Sequence, residues 1–319
     1  MEVEPTQEIY YEVENRRFKK EGNTDADNLG HGAYGSVTRR IDLQTKQRVA
    51  VKRFDLGQKD KQITESFEEF PLEILREIKV LRELQHDNIV PVVDFYFHRN
   101  ELFMVMEYEP SDLQQEIHDK TELKNDPQRI QKYLHMILSG VGYLHANFLL
   151  HRDLKPANIL VSNNDILKIA DFGSVRPFGS SYDQFTKGVI TPYYRPPEVY
   201  FEAPIYGPAV DVWSIGCIFA EMCSGQILFC DERSIVSSMY QILGTPNSGP
   251  STKWEGVDKM KGYNKPLQEI SISSLHRYVN IEGAGFDLLQ KMLRYDPNRR
   301  VSCEKALSHQ YFSDMIQFD

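Results

Sequence analysis

The sequence predicts an α+β fold in which a small β-rich lobe precedes a larger, mainly helical lobe. Two short runs in the first 110 residues, RVAVKRF and LFMVMEY, are rich in strand-forming residues and bounded by polar ones. After about residue 113 the apolar spacing becomes mainly helical, as in QRIQKYLHMILSGVGYLHA and GFDLLQKMLRYD. The two patterns meet near EYEPSD, residues 107–112, so we place the join between the lobes there.

The first lobe also carries one helix, predicted in PLEILREIKVLREL. Pro71 suits a first helical turn, and Ile74, Ile78 and Leu81 recur at i, i+4 and i+7, the spacing of an amphipathic helix. Glu77 lies three residues after Ile74 and four before Leu81, which places a carboxylate on the apolar face. Because an unpaired buried carboxylate is costly, Glu77 needs a cation.

Lys52, at the end of the run VAVK, is the natural cation for Glu77. Alternate residues of a strand share a face, so Ala50 and Lys52 point one way while Val49 and Val51 point the other. A lysine on a half-buried strand usually extends its amine to water. The carboxylate on the helix favours the paired interpretation instead.

Composition and charge exclude several classes of protein. A net charge of −9 argues against nucleic acid as a direct partner. The four cysteines show no Cys-x-x-Cys spacing, which argues against a zinc site or disulfide framework and suits a nuclear or cytoplasmic protein. The acidic N-terminus is no signal peptide, and the most apolar run, VDVWSIGCIFAEM, is too short to span a bilayer. We therefore expect no membrane partner and a buried helix in that run.

A glycine-rich segment, LGHGAYGSV, has glycines at positions 30, 32 and 35, followed by Val37. Glycines let a backbone approach phosphates closely. The same spacing occurs in ordinary turns and in dinucleotide-binding folds, and on its own it leaves both open. The stretch that follows, VTRRIDL, is strand-like rather than helical, which favours a phosphate-covering hairpin over a dinucleotide site.

The strongest chemical signal is HRDLKPAN, residues 151–158, followed by DFG at 171–173. An aspartate such as Asp153 can accept a hydroxyl proton, and Lys155 can neutralise a transferring phosphoryl group. The Asn158 carbonyl and the Asp171 carboxylate are oxygen ligands that suit Mg²⁺. Taken singly, each residue could belong to an ordinary surface loop or turn. Their order and spacing together favour phosphoryl transfer.

With these motifs the sequence resembles the protein kinases over roughly residues 24–315. The resemblance implies a bilobal kinase fold with ATP and Mg²⁺ as cofactors. It divides the chain into an N-terminal extension (1–23), an N-lobe with the glycine loop and one regulatory helix (24–109), and a mainly helical C-lobe (110–315). It implies a nucleotide site formed by Leu29, Gly30, Gly32, Gly35, Val37, Ala50, Lys52, Glu77, Met106, Glu107, Glu109 and Asp112. It also assigns catalysis to Asp153, Lys155 and Thr191, metal binding to Asn158 and Asp171, and structural anchoring to Asp211 and an Arg300–Glu198 pair.

PLEILRE, FAEM, LGTPN and MLRYDPNRRVS are similar to the cyclin-dependent kinases within that family. This similarity implies a cyclin-like regulatory subunit. Arg195 and Ile190 resemble a pocket for a proline placed just after the phosphoacceptor, which implies protein substrates with Ser/Thr-Pro sites. The run YLHANFLLHRDLKPANILV is most like the Mediator-associated transcriptional member of the group.

The resemblance also places Thr186 at the position of the phosphorylated threonine in the family's activation loop. A phosphothreonine adds about two negative charges, which order a loop only where nearby arginine side chains can bind the phosphate. The resemblance places Arg76, Arg152 and Arg176 there. Tyr34, in the glycine loop, would be a second regulatory phosphorylation site.

Several departures mark a divergent member. The link RFDLGQKDKQITESFEEF is longer than usual, YYRPPE replaces Trp-Tyr-Arg-Ala-Pro-Glu, and DFGSVR replaces Asp-Phe-Gly-Leu-Ala-Arg. The prediction is therefore a serine/threonine kinase of the cyclin-dependent type, nuclear or alternatively cytoplasmic, acting in cell-cycle or transcription control. A mitogen-activated-type kinase and a non-catalytic kinase-like scaffold are the alternatives.

Overall fold

The computed structural model describes residues 17–20, 28–32, 35–54, 84–98, 101–120, 122–179, 190–231 and 234–314. The chain forms two compact units, one of Met1–Gln85 with Ile89–Pro110 and one of His86–Asn88 with Ser111–Asp319. The first is built on a β-sheet and the second is mainly helical, which confirms the predicted α+β class. The predicted regulatory helix with Arg76 and Glu77, and also Tyr34 and Thr186, lie outside the described residues.

The described residues of the first unit form a six-stranded antiparallel sheet in the order β1-β3-β4-β6-β5, with β2 also paired to β3. Its strands are β1 (Phe18–Lys20), β2 (Asn28–Gly32), β3 (Gly35–Asp42), β4 (Arg48–Phe54), β5 (Val92–His98) and β6 (Glu101–Glu107). The β2–β3 hairpin is the predicted phosphate-covering hairpin. Gly35 has a φ of 144°, which a residue with a Cβ rarely adopts.

An aromatic cluster covers one face of this sheet. Its buried members are Phe18, Val49, Val51, Tyr96, Phe103 and Val105. The Tyr96 ring stacks between Phe18, at a centroid distance of 5.6 Å, and Phe103, at 4.8 Å. Val49 and Val51 thus share a face, as the strand alternation predicts.

Arg17 fastens β1 to the sheet. Its Nε and Nη2 donate to the two carboxylate oxygens of Asp42 at 3.0 and 2.8 Å, and its Nη1 donates to Asp94 at 2.9 Å. Its guanidinium lies 4.7 Å from the centroid of the Phe18 ring. The hydrogen bonds from Arg17 lower the pKa of the Asp42 carboxyl to about 2. Part of the segment predicted as an N-terminal extension is therefore an edge strand of the sheet.

The second unit begins with β7 (Ser111–Asp112), and its helices are α1 (Leu113–His118), α2 (Pro127–Ala146), α3 (Pro197–Tyr200), α4 (Ala209–Ser224), α5 (Ile235–Leu243), α6 (Gly283–Met292) and α7 (Cys303–Leu307). Its remaining strands are β8 (Leu149–Leu150), β9 (Ile159–Val161), β10 (Leu167–Ile169) and β11 (Arg176–Pro177). They pair as β10-β9-β7 and β11-β8.

Helix α4 is the centre of this unit. Every residue from Val210 to Cys223 is buried, as predicted for the run VDVWSIGCIFAEM. The helix ends at Gly225, whose φ of 74° is the left-handed conformation that glycine adopts readily at helix ends. No helix among the described residues is both long enough and apolar enough to cross a bilayer.

Candidate active site

The loop that follows β8 carries two of the predicted catalytic residues, Asp153 and Lys155, and Asp211 in the first turn of α4 holds this loop in place. One Asp211 oxygen accepts from the backbone N–H of His151 at 3.0 Å, and the other accepts from that of Arg152 at 2.9 Å. Nε2 of His145, in the last turn of α2, lies 2.9 Å from Asp211 Oδ2. Arg152 has a φ of 66°, so the tether holds a backbone conformation that is rare outside glycine.

Burial acts to raise the pKa of the Asp211 carboxyl, but the hydrogen bonds and charge of its neighbours, His145 foremost, leave that pKa below its usual value. Asp211 is only 1% exposed. An ionised carboxylate therefore lies in the core of the helical unit, and its function there is to fix the loop.

Four of the predicted site residues meet at the Asp153 carboxylate. Oδ1 accepts from the Thr191 hydroxyl at 2.7 Å and from the Thr191 backbone N–H at 3.0 Å. Oδ2 lies 3.1 Å from Lys155 Nζ and 3.2 Å from the Asn158 side-chain nitrogen. Lys155 Nζ also donates to the Thr191 hydroxyl at 3.3 Å.

These neighbours determine the charge of Asp153. Burial acts to raise its pKa, but the Thr191 hydrogen bonds and the Lys155 cation outweigh burial and leave the pKa below the usual value. At neutral pH the group is a carboxylate, which can accept a hydrogen bond from an alcohol and receive its proton.

Asn158 and Asp171, the predicted metal ligands, are joined through the backbone. The Ala170 N–H donates to the Asn158 carbonyl at 2.9 Å, and Asp171 follows with a left-handed φ of 60°. The Asn158 side-chain nitrogen donates to the Asp153 carbonyl at 2.8 Å, which turns its amide oxygen away from Asp153. One amide oxygen and one carboxylate suit Mg²⁺, which takes its other ligands from phosphates and water.

His151 stabilises the backbone that joins Asn158 to Asp171. It is fully buried, and its Nε2 lies 3.0 Å from the Ala170 carbonyl oxygen. The buried Phe172 ring meets the His151 ring edge-on at a centroid distance of 5.4 Å. Phe172 is thereby fixed beside Asp171, and the loop and the DFG segment are held as one structure.

Ile190 and Arg195 flank the short helical turn Pro192–Tyr194. Ile190 is buried and has a φ of 75°, unusual for a β-branched residue. Its carbonyl oxygen accepts from Arg195 Nη2 at 2.7 Å and from Arg195 Nε at 3.2 Å. The Ile190 carbonyl oxygen thus already accepts two hydrogen bonds, both from Arg195.

The predicted Glu198–Arg300 anchor is present. The guanidinium donates to both carboxylate oxygens at 2.7 and 2.9 Å, and both side chains are buried. Its remaining N–H groups donate to backbone carbonyls of Ala209, Tyr295 and Arg294. All five donors of the arginine are used.

Two of the three predicted phosphate-sensing arginines are described. Arg152 is buried; its Nε donates to the Ser174 carbonyl at 2.7 Å, and its Nη1 donates to the Tyr206 hydroxyl at 3.3 Å. Arg176 lies in β11, where its Nη1 donates to the Val175 carbonyl at 3.2 Å. The third, Arg76, lies outside the described residues, as does Thr186.

The predicted nucleotide residues of the first unit lie on neighbouring strands. Val37 is opposite Lys52, and Ala50 is opposite Met106. Lys52 is 5% exposed, with its Nζ 5.2 Å from the centroid of the Phe54 ring. The others lie along the glycine hairpin or near the end of β6: Leu29, Gly30, Gly32, Gly35, Glu107 and Glu109. Their roles in nucleotide binding stay predictions.

Asp112, predicted to reach a ribose, lies in the second unit and caps helix α1. Its carboxylate accepts from the Gln115 backbone N–H at 2.9 Å and from the Gln115 side chain at 3.0 Å. This contact stabilises the start of the helix. Ribose binding by Asp112 stays a prediction.

The sequence reasoning missed two histidines. His145 binds the tether Asp211, and His151 binds the carbonyl that precedes Asp171. A basic residue in the last turn of a helix, as at His145, was a weak signal, because such residues favour helix ends. For the His151 side chain the sequence offered only its place beside Arg152 and Asp153.

Comparison with known proteins agrees with this geometry. A family model described as the protein kinase domain matches residues 24–312. Cell division control protein 2 homolog 3 of Trypanosoma brucei brucei is 38% identical over 293 residues, which cover 91% of each chain. Cyclin-dependent kinase 7 of Dictyostelium discoideum is 37% identical over 291 residues, 91% of this chain and 79% of that protein.

Proposed function

This chain belongs to the protein kinase family, as an ATP-dependent serine/threonine kinase of the cyclin-dependent type, and from that premise we propose that it phosphorylates serine or threonine followed directly by proline. The observation that carries the proposal is the Ile190 carbonyl, which Arg195 occupies at 2.7 and 3.2 Å.

The preference for proline depends on one backbone N–H group of the substrate. A residue that follows the phosphoacceptor brings an N–H that needs an acceptor, and the Ile190 carbonyl is already bound to Arg195. Proline has no such N–H. Leaving one N–H unsatisfied costs about 1–3 kcal/mol, which corresponds to a preference for proline of roughly 5- to 150-fold.

In this proposal Asp153 is the base that accepts the proton of the substrate hydroxyl. The Lys155 amine and the Thr191 hydroxyl, which both contact Asp153, orient the carboxylate and the incoming hydroxyl. Lys155 also places a positive charge where the transferred phosphoryl group gains negative charge. Most of the rate enhancement then comes from positioning and electrostatics.

The family uses ATP together with Mg²⁺, and we assign the cation to Asn158 and Asp171. The described residues contain no group of three or more His, Cys, Asp or Glu side chains that could hold a metal. Mg²⁺ is commonly held by one or two protein side chains, with phosphates and water supplying the rest of its coordination shell. Asn158 and Asp171 would hold the cation, which would supply positive charge to neutralise the phosphates.

We further propose a cyclin-like regulatory subunit and a role in cell-cycle or transcription control. The support is the two relatives, one named for cell division control and the other for cyclin dependence. Nuclear location and phosphorylation at Thr186 and Tyr34 stay predictions from the sequence.

The test uses the full chain, isolated from its native cells with the regulatory subunit that co-purifies. Two peptides differ only in carrying Ser-Pro or Ser-Ala, and phosphate transfer is measured with Mg-ATP. We expect kcat/KM to favour Ser-Pro at least about fivefold. Asp153→Asn should lower kcat by about 100-fold or more while ATP binding is retained, and the exposed Asp258→Asn is the matched control. Equal rates on the two peptides would exclude the proline pocket, and undiminished transfer by Asp153→Asn would exclude the base.

A further inference from the structure

We propose that Tyr200 is a positioning residue that maintains the selectivity for proline. It lies at the end of α3, and its ring faces the guanidinium of Arg195, which occupies the Ile190 carbonyl. The inference rests on the proposed proline pocket and adds to it the side chain that keeps the pocket in its selective form.

The contact between Tyr200 and Arg195 is a cation–π interaction. The guanidinium carbon lies 5.2 Å from the centroid of the tyrosine ring, within the range in which the ring attracts a cation. An arginine side chain has several rotatable bonds, and ordering it has an entropy cost. The ring face therefore favours the rotamer in which Arg195 reaches the Ile190 carbonyl.

The hydroxyl of Tyr200 fixes the far end of the ring. It donates to the Pro192 carbonyl at 2.8 Å. Pro192 lies between Ile190 and Arg195 in the chain, so the tyrosine holds both the arginine and the backbone that carries its acceptor. Burial raises the pKa of the Tyr200 hydroxyl, which keeps this group protonated and able to donate.

The backbone of Tyr200 is itself held in place. The next residue, Phe201, is buried, with its ring 5.7 Å from the Trp254 ring and 5.2 Å from the Tyr263 ring. The Gly262 N–H donates to the Phe201 carbonyl at 3.1 Å, and a Cβ on Gly262 would lie 2.7 Å from the Tyr200 carbonyl oxygen. A loop thus packs directly against this end of α3 and holds the backbone from which the Tyr200 ring projects.

Loss of the ring has a directional consequence. Without it, the Arg195 guanidinium can exchange the Ile190 carbonyl for water, and that carbonyl becomes able to accept the N–H of a non-proline residue. Transfer to Ser-Ala then rises, while transfer to Ser-Pro, which needs no acceptor there, is little changed. A general loss of packing would instead lower both rates together.

The experiment compares Tyr200→Leu, which removes the ring face, with Tyr200→Phe, which keeps it. The full chain with its co-purified subunit is assayed on the Ser-Pro and Ser-Ala peptides. In Tyr200→Leu we expect the selectivity, which is kcat/KM for Ser-Pro divided by kcat/KM for Ser-Ala, to fall about two- to fivefold. The fall should come from a higher kcat/KM for Ser-Ala. The same ratio in Tyr200→Phe should stay within about twofold of its value in the unmodified protein. Tyr278→Leu, at a tyrosine that is 47% exposed, is the matched control.

An unchanged ratio in Tyr200→Leu, or an equal fall on both peptides, overturns the inference. If the unmodified protein does not distinguish the peptides, the proline pocket itself is wrong and this inference falls with it. If Tyr200→Leu fails to fold, Tyr200→Met is used under the same criteria. Methionine is similar in volume to leucine, is more flexible and also has no ring.

Discussion

Replacing Asp211 with asparagine tests whether the Asp211 carboxylate holds the catalytic loop in place. The carboxylate accepts three hydrogen bonds, from His145 Nε2 and from the backbone N–H groups of His151 and Arg152, all at 2.9–3.0 Å. Asparagine has nearly the same shape but only one accepting oxygen. If that oxygen keeps the two bonds made by Oδ2, the new NH₂ group faces the N–H of Arg152, donor against donor.

The magnitude follows from this geometry. One hydrogen bond to a charged group is lost and one buried N–H is left unsatisfied, so we expect Asp211→Asn to destabilise the protein by about 3 kcal/mol. For a chain of 319 residues that corresponds to a fall in the melting temperature of roughly 5 °C. A shift of about 1 Å in the loop that carries Asp153 should lower kcat about 100-fold.

The pH dependence has a definite sign. The folded-state pKa of Asp211 lies below its usual value, so its stabilising contribution is present above the unfolded pKa and is lost as pH falls through the folded pKa. The stability difference between the unmodified protein and Asp211→Asn should therefore be full at neutral pH and shrink in acid below about pH 4.

The assay pairs thermal unfolding with steady-state kinetics on the Ser-Pro peptide. Asp287→Asn is the matched control, because Asp287 is a half-exposed carboxylate that contacts Lys291 and His309 near the surface. A variant Asp211→Asn that melts within about 1 °C of the unmodified protein and keeps half of its kcat would refute the tether.

Two further predictions concern the edge strand and the activation loop. Arg17→Gln should destabilise the protein by about 2 kcal/mol, because the pKa of Asp42 lies near 2 rather than 3.8. In urea titrations the loss of stability should be full above about pH 4 and vanish towards pH 2. Arg53→Gln, which breaks an exposed ion pair with Glu101 at 3.5 Å, should cause almost no loss of stability at any pH. Equal effects of the two variants would contradict this. The sequence predicts a phosphate on Thr186, so Thr186→Ala should lower peptide phosphorylation about tenfold or more, whereas Ser181→Ala should not. Full activity of Thr186→Ala would contradict a regulatory phosphate at this residue.

The features that the sequence predicted correctly depend on local spacing. The alternation in β4 places Val49 and Val51 in the aromatic cluster because side chains on a strand alternate with a period of two. Asp153 and Asn158 are five residues apart in one loop, so their closeness also follows from a short segment, whereas their catalytic and metal-binding roles stay predictions. The compact helix in VDVWSIGCIFAEM was predictable for the same reason.

The features that it missed depend on contacts between distant segments. Arg17 pairs with Asp42, 25 residues away, and so converts part of a predicted extension into a strand. His145 reaches Asp211 across 66 residues. The contact of Tyr200 with Arg195 is close in sequence, but it requires the turn at Pro192–Tyr194 to fold the chain back. No periodicity encodes such contacts, since tertiary packing decides them.

The buried pair of Glu198 and Arg300 also has a consequence for synthesis of the protein. The two residues are 102 positions apart, and at a translation rate of about 5–20 residues per second the arginine is made roughly 5–20 s after its carboxylate. During that interval Glu198 lacks the cation that permits its burial. The segment around α3 therefore cannot reach its final packing before Arg300 has been synthesised. The packing around Glu198 becomes complete only after Arg300 has emerged from the ribosome, which makes that interval a natural point for chaperone binding.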